Sequence, residues 1–251
     1  MKRVFNQDEP ELMDRPQPAS AELERDLVNL ASLNRYFGSH RLVRRFLAAW
    51  LQPDRTYRVL DVCTGFGDIP RMMVDWGRRR GVRLRIDAID ANAATIEIAR
   101  AHSADYREIE FQRADMLKYD SRETYDLVCC SLALHHFSET DAVRVLRHCR
   151  ELSHRFVLVA DLVREFTTTI GVWALTQFVY REPMTRHDGR LSAQRAFSFT
   201  EMRLLAEAAE WKDFGHARFP LCRQALWLDS RNFAEIPAPA VATNVALPSP
   251  A

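Results

Sequence analysis

The 251-residue chain contains no C-x-x-C pair, and its five cysteines, Cys63, Cys129, Cys130, Cys149 and Cys222, are odd in number and scattered. That usage disfavours a zinc site and a disulfide framework, and it suits a reducing cytoplasm, so no metal is expected. No apolar run reaches the roughly 18 to 20 residues of a membrane-spanning helix. The opening MKRVFNQDEPELMDRPQPAS lacks the apolar core of a signal peptide. The uncharged stretch FTTTIGVWALTQFVY, Phe166 to Tyr180, carries four threonines and reads as a core or lid helix. A dominant charge is missing too: 35 basic against 34 acidic residues leave a formal charge of +1. Broad attraction to nucleic acid or acidic membranes is therefore not expected, and partners have to be argued from local sites.

Two phosphate-binding signatures are also absent. The stretch DVCTGFGDIP, residues 61–70, places Gly65 and Gly67 between a strand-like and a helix-like segment, but no Lys follows Gly67 as a P-loop requires. The third glycine of G-x-G-x-x-G is replaced by Pro70, which removes support for a dinucleotide.

What is present is an alternation of strand and helix signals, the pattern of a parallel sheet with crossover helices. Leu23, Leu27, Leu30 and Leu33, then Leu42, Phe46, Leu47, Trp50 and Leu51, predict two helices ahead of the first strand. YRVLDV (57–62), RLRIDAID (83–90), IEFQRAD (109–115), YDLVCCS (125–131) and RFVLVAD (155–161) read as five buried strands. KDFGHARFPLCRQALWLDS reads as a hairpin through Pro220. Ser138 with Asp141, and Ser198 with Glu201, have capping-box spacing at helix starts, whereas 181–197 reads as a polar loop. The expected organisation is one domain over 21–233, with N-terminal helices in 21–52 and a lid or substrate insert at about 162–197. Residues 1–20 are expected to be flexible, and the Pro/Ala-rich residues 234–251 disordered.

In an open α/β sheet, ligands bind at the carboxyl ends of the strands. Asp61, ending the first strand, suits an ammonium group, with Gly65 and Gly67 letting the backbone pass close by. Asp90, with Ala91 beside it, ends the second strand where a carboxylate accepts ribose hydroxyls. Asp115 ends the third strand and Met116 follows it, where they suit an exocyclic amine and the face of an adenine. Amino acid, ribose and adenine in that order describe S-adenosylmethionine.

The segments VLDVCTGFGDIP, IDAID, FQRADM, DLVCCSLALHHF and RFVLVADLVRE together resemble class I S-adenosylmethionine-dependent methyltransferases, over about 59–165. The resemblance implies an α/β Rossmann-like seven-stranded sheet with helices on both faces, a terminal antiparallel hairpin and an N-terminal helical cap. It also implies that Ser131 and Leu132 face the cofactor's inner side. Cys63 departs from the family's D-x-G-x-G-x-G. SLALHHF looks most like the small-molecule, ubiquinone and menaquinone type, which implies methylation of an oxygen or carbon on a small, partly apolar, aromatic, polyketide-like or quinone-like acceptor. His136 is the leading base, and His135 and Asp161 are further catalytic candidates. Arg164, Trp173, His187 and Arg195 are candidate substrate contacts. Packing or capping is the structural alternative for each of them. A nucleic-acid or protein methyltransferase, and a non-catalytic cofactor-binding subunit, are the open alternatives in function. The oligomeric state is left undetermined.

Overall fold

A computed structural model describes residues 2–121 and 123–229, so the proposed tail at 234–251 lies outside the described residues. Two helices, α1 (Ala21–Tyr36) and α2 (Ser39–Trp50), precede β1 (Thr56–Val62). Then come α3 (Asp68–Arg80), β2 (Arg83–Asp90), α4 (Ala93–Ala101), β3 (Ile109–Arg113), β4 (Tyr125–Ser131), α5 (Glu139–Leu152) and β5 (Ser153–Leu162). The chain continues through α6 (Phe166–Phe178), α7 (Pro183–Arg195), α8 (Phe199–Ala208), β6 (Gly215–Phe219) and β7 (Arg223–Asp229). The sheet order is β3-β2-β1-β4-β5-β7-β6. The first five strands run parallel, and β7 lies antiparallel to both β5 and β6.

Successive residues of the central strands feed opposite faces of the sheet. Leu127 and Cys129 pack with Trp50, Trp76 and Phe156 on the side of α2 and α3, while Val128 and Cys130 pack with Leu146, Cys149 and Met202 on the side of α5 and α8. Burial on both faces is why these strands read as continuous apolar runs. Trp50 stacks on Phe156, with ring centroids 4.8 Å apart. Side-chain caps fix the helix starts. Ser20 accepts from Leu23 N–H, Asn92 from Ala94 and Thr95, and Ser138 from Asp141, and Ser198 with Glu201 makes the reciprocal capping box.

Two expectations change. The polar stretch 181–197 is mostly helix, because Pro183 opens α7 in its first turn and the polar side chains are buried against polar partners. Thr185 donates to Asp26 at 2.5 Å, and Asp188 is fully buried, accepting the N–H groups of Leu12 and Met13 at 2.8 and 2.9 Å. The second change is at the N-terminus, where residues 2–20 are tied down. Arg3 donates to the carbonyls of Arg195, His135 and Phe137 at 2.6, 3.1 and 2.7 Å, and its guanidinium lies over the Phe197 ring.

Candidate cofactor and acceptor site

The sheet reverses its winding between β1 and β4, and a cavity of about 800 Å³ opens at the carboxyl ends of the strands there. One end is polar, lined by Asp61, Cys63, Thr64, Gly65, Asp90, Ala91, Asn92 and Arg113. The other is mainly apolar, lined by Leu27, Leu30 and Leu33 from α1, by Phe37 just after it, by Val172 and Leu175 from α6, and by Leu162 and Leu221. Residues Glu11, Met13, Asp14, Pro16 and Gln17 close over it, and Asn92 Nδ2 donates to the Met13 carbonyl at 2.8 Å to hold that cover.

The turn after β1 is compact. Thr64 Oγ1 donates to Asp61 Oδ2 at 2.6 Å, and Gly65 N–H donates to Asp90 Oδ2 at 2.9 Å, so the acids ending β1 and β2 are joined through the glycine turn. Burial raises the Asp61 carboxyl to about 7, against the hydrogen bond from Thr64. Burial likewise pushes Asp90 up, opposed by the N–H groups of Asn92 and Gly65. Gly65 has φ +53°, and an added Cβ would meet no atom within 4 Å, so the chain leaves open space there. Gly67 has φ +72°, and its Cβ would lie 2.8 Å from the Phe111 ring, so its role is to let the turn pack on β3. Cys63 adopts φ +55°, the left-handed conformation that glycine favours, at the position where the turn departs from D-x-G-x-G-x-G. Leu132, with φ +56°, makes a second such kink at the end of β4. Ser131 Oγ, buried on the cavity lining, has no hydrogen-bond partner.

The cavity thus brings together Asp61, Gly65, Asp90, Ala91, Ser131 and Leu132 of the expected cofactor set. It does not include Gly67, Asp115 or Met116. Asp115 turns outward, caps the Leu117 N–H at 3.0 Å and pairs with Lys118, while Met116 is buried in the core. Arg113, whose Nε donates to the Ala91 carbonyl at 3.2 Å, reaches that end instead.

Where the polar and apolar ends meet stand His135 and His136, in a short helical turn over Leu134–His136 after β4. His135 is buried. Its Nδ1 lies 2.7 Å from Asp161 Oδ1, and its own N–H donates to Asp161 Oδ2 at 3.0 Å. Asp161 does not line the cavity; it orients His135. His136 Nδ1 lies 2.6 Å from Asp14 Oδ2, with Glu11 on the other side of the ring. Burial alone would pull His136 down, but the Glu11 and Asp14 carboxylates outweigh it and hold the imidazole at about 10. Both ring nitrogens of His136 thus face carboxylates, Nδ1 toward Asp14 and Nε2 toward Glu11.

The four expected substrate contacts also lie off the cavity lining. Arg164 is buried, donating to the Ala196 carbonyl at 2.5 Å and to Glu201 at 2.7 Å. Trp173 is half-exposed on α6 and meets Phe178 edge-on. His187 is half-exposed beside Asp188. Arg195 donates to the carbonyls of Asn6 and Glu9, which anchors the N-terminal segment. Sequence reasoning missed Glu11 and Asp14, because both sit in a stretch whose composition reads as flexible and their partners lie more than 120 positions away.

Residues 59–154 match the family model described as a methyltransferase domain. The chain has a class I S-adenosylmethionine-dependent methyltransferase fold. A 2-phytyl-1,4-naphtoquinone methyltransferase of Thermosynechococcus vestitus is 35% identical over 81 residues, 32% of this chain and 35% of that protein. A demethylmenaquinone methyltransferase of Thermotoga maritima is 31% identical over 98 residues, 39% of each chain. The matches therefore span little more than a third of the length of these curated relatives. Among solved structures, human N-acetylserotonin methyltransferase in complex with SAM aligns with a TM-score of 0.60 at 16% identity, covering 83% of this chain and 56% of that one. The sheet of this methyltransferase fold, with β7 inserted antiparallel between β5 and β6, sets the cavity at its switch point. Among the described residues, no helix is long and apolar enough to cross a membrane.

Proposed function

We propose that the chain transfers a methyl group from S-adenosylmethionine to an oxygen or carbon of a small, largely apolar acceptor. The observation that carries this reading is one continuous cavity, with the Asp61–Gly65–Asp90 turn at one end and a leucine-rich chamber at the other. Its volume, about 800 Å³, falls within the roughly 300–1,000 Å³ of small-molecule sites. The polar end fits the cofactor on its own features. Gly65 leaves the space a side chain would fill, Ser131 Oγ is unpartnered, and Asp61 is a buried carboxyl short of a cation. Asp61 would hold the ammonium and Asp90 the ribose, while Ala91, Asn92 and Arg113 would meet the adenine end. Bound there, the cofactor supplies an electrophilic methyl group on a sulfonium.

The chain's own contribution is positioning, since displacement at a methyl carbon needs nucleophile, carbon and leaving group aligned. Leu27, Leu30, Phe37, Val172 and Leu175 would grip an apolar ring or chain, and the cover formed by residues 11–17 would keep water from it. The Glu11, His135 and His136 side chains would meet the acceptor's polar atom where the two ends join. The two curated relatives are named for quinone-type acceptors, and the apolar lining suits a ring of that kind.

Equilibrium dialysis tests the cofactor half of the proposal. The expected result is one equivalent of S-adenosylmethionine bound by the wild type, and at least tenfold weaker binding by Asp90→Ala. Folded protein that binds none would overturn it.

A further inference from the structure

We propose that Glu11, His135 and His136 form a site for one divalent transition-metal ion at the junction of the two ends of the cavity. The carboxylate and the two imidazoles each offer one ligand atom, and all three atoms lie within 4.8 Å of one another. Glu11 Oε1 is 3.9 Å from His135 Nε2, and Glu11 Oε2 is 3.8 Å from His136 Nε2. Both separations are too long for hydrogen bonds. They are close to what ligands of one ion show, because donors about 2.0 to 2.2 Å from a shared metal stand roughly 3 to 3.5 Å apart.

The rings are held as metal-bound imidazoles are held. His135 Nδ1 is bonded to Asp161 and His136 Nδ1 to Asp14, at 2.7 and 2.6 Å, so both Nε2 atoms are turned toward Glu11. A carboxylate behind each ligating histidine fixes the ring and increases its basicity. Ser192 Oγ donates to Glu11 Oε1 at 2.8 Å and orients the third ligand. His135 Nε2, on a side chain only 3% exposed, has no hydrogen-bond partner. A buried ring nitrogen costs free energy when nothing meets it, and a cation there would supply the missing partner.

Two imidazoles and one carboxylate suit zinc, manganous or ferrous ions better than the all-oxygen shells of calcium or magnesium. All three ligands line the cavity, so the remaining coordination positions face it. An acceptor's hydroxyl or carbonyl oxygen would enter there, and the ion would polarise it; this last step rests on the proposed function, whereas metal binding does not. Glu11 belongs to the N-terminal segment and the histidines follow β4, so the ion would also pin that segment over the cavity.

The test uses the full chain, stripped with chelator and titrated with Zn²⁺ or Mn²⁺ alone against a chromophoric competitor, with bound metal counted by elemental analysis. The expected result is one ion per chain, at least tenfold weaker binding in Glu11→Gln and in His136→Gln, and slower proteolysis within residues 1–20 when the ion is present. Circular dichroism and thermal melting establish that each variant is folded. Folded protein that takes up no ion, or variants that bind it as tightly as the wild type, would overturn the proposal. Loss of S-adenosylmethionine binding with metal uptake intact would count against the proposed function and leave this site standing.

Discussion

Asp61→Asn should stabilise the chain in the absence of cofactor and remove the stabilisation the cofactor brings. Asp61 is 2% exposed, and burial raises its carboxyl from 3.8 to about 7. Below pH 3.8 both folded and unfolded chains carry the proton, and the carboxyl imposes no cost. Between 3.8 and about 7 the unfolded chain has released its proton while the folded chain keeps it, so the cost grows with pH. Above about 7 the cost is constant. A shift of some three units at about 1.4 kcal/mol each gives a penalty of about 4 kcal/mol at pH 8 and about 2 kcal/mol at pH 5.

Asparagine removes the charge and keeps an oxygen for the Thr64 hydroxyl, but its amide needs a new partner at a cost of about 1 to 2 kcal/mol. The net gain is about 2 to 3 kcal/mol at pH 8, near zero at pH 5. Urea denaturation of both proteins at the two pH values measures it. With the wild type at pH 8, S-adenosylmethionine at a hundred times its Kd should add about 2.7 kcal/mol, and with Asp61→Asn at that concentration much less. A variant less stable than the wild type at pH 8, or a difference independent of pH, would refute the reasoning that Asp61 is a buried acid awaiting a cation.

Cys63→Gly should fold and bind cofactor, whereas Cys63→Val should lose about 2 kcal/mol or more, because a β-branched residue tolerates φ +55° poorly; thermal melts and dialysis read both. Gly67→Ala should cost about 2 kcal/mol in urea denaturation, from its positive φ and the contact with the Phe111 ring. Arg3→Ala removes three hydrogen bonds to carbonyls and should cost about 2 kcal/mol, with faster proteolysis inside the first 20 residues.

The sheet could be read from the chain because its signals are local. Val59 with Leu60, and Leu127 to Cys130, are apolar on both faces, and Ser138 and Ser198 mark helix starts by spacing alone. The turn from Asp61 to Gly67 was legible for the same reason. Helix α7 was not, since its buried face carries Thr185, Asp188 and Arg195, whose partners are polar groups of the N-terminal segment and α1. An apolar stripe is what periodicity detects, and this face offers only Met184 and Ala193 among polar residues and a glycine. The setting of His136 was hidden likewise: a histidine after β4 looks like a base, and nothing local to it shows that Glu11 and Asp14 fold back over its ring.

The central claim is methyl transfer to a small molecule, and labelled-methyl transfer tests it most directly. The full chain is incubated with methyl-labelled S-adenosylmethionine and a cell extract, which is then divided into small-molecule, nucleic-acid and protein fractions. The account predicts label in a solvent-extractable product of low mass, absent with Asp90→Ala. Label confined to nucleic acid or protein, or no transfer by folded protein that binds the cofactor, would contradict it.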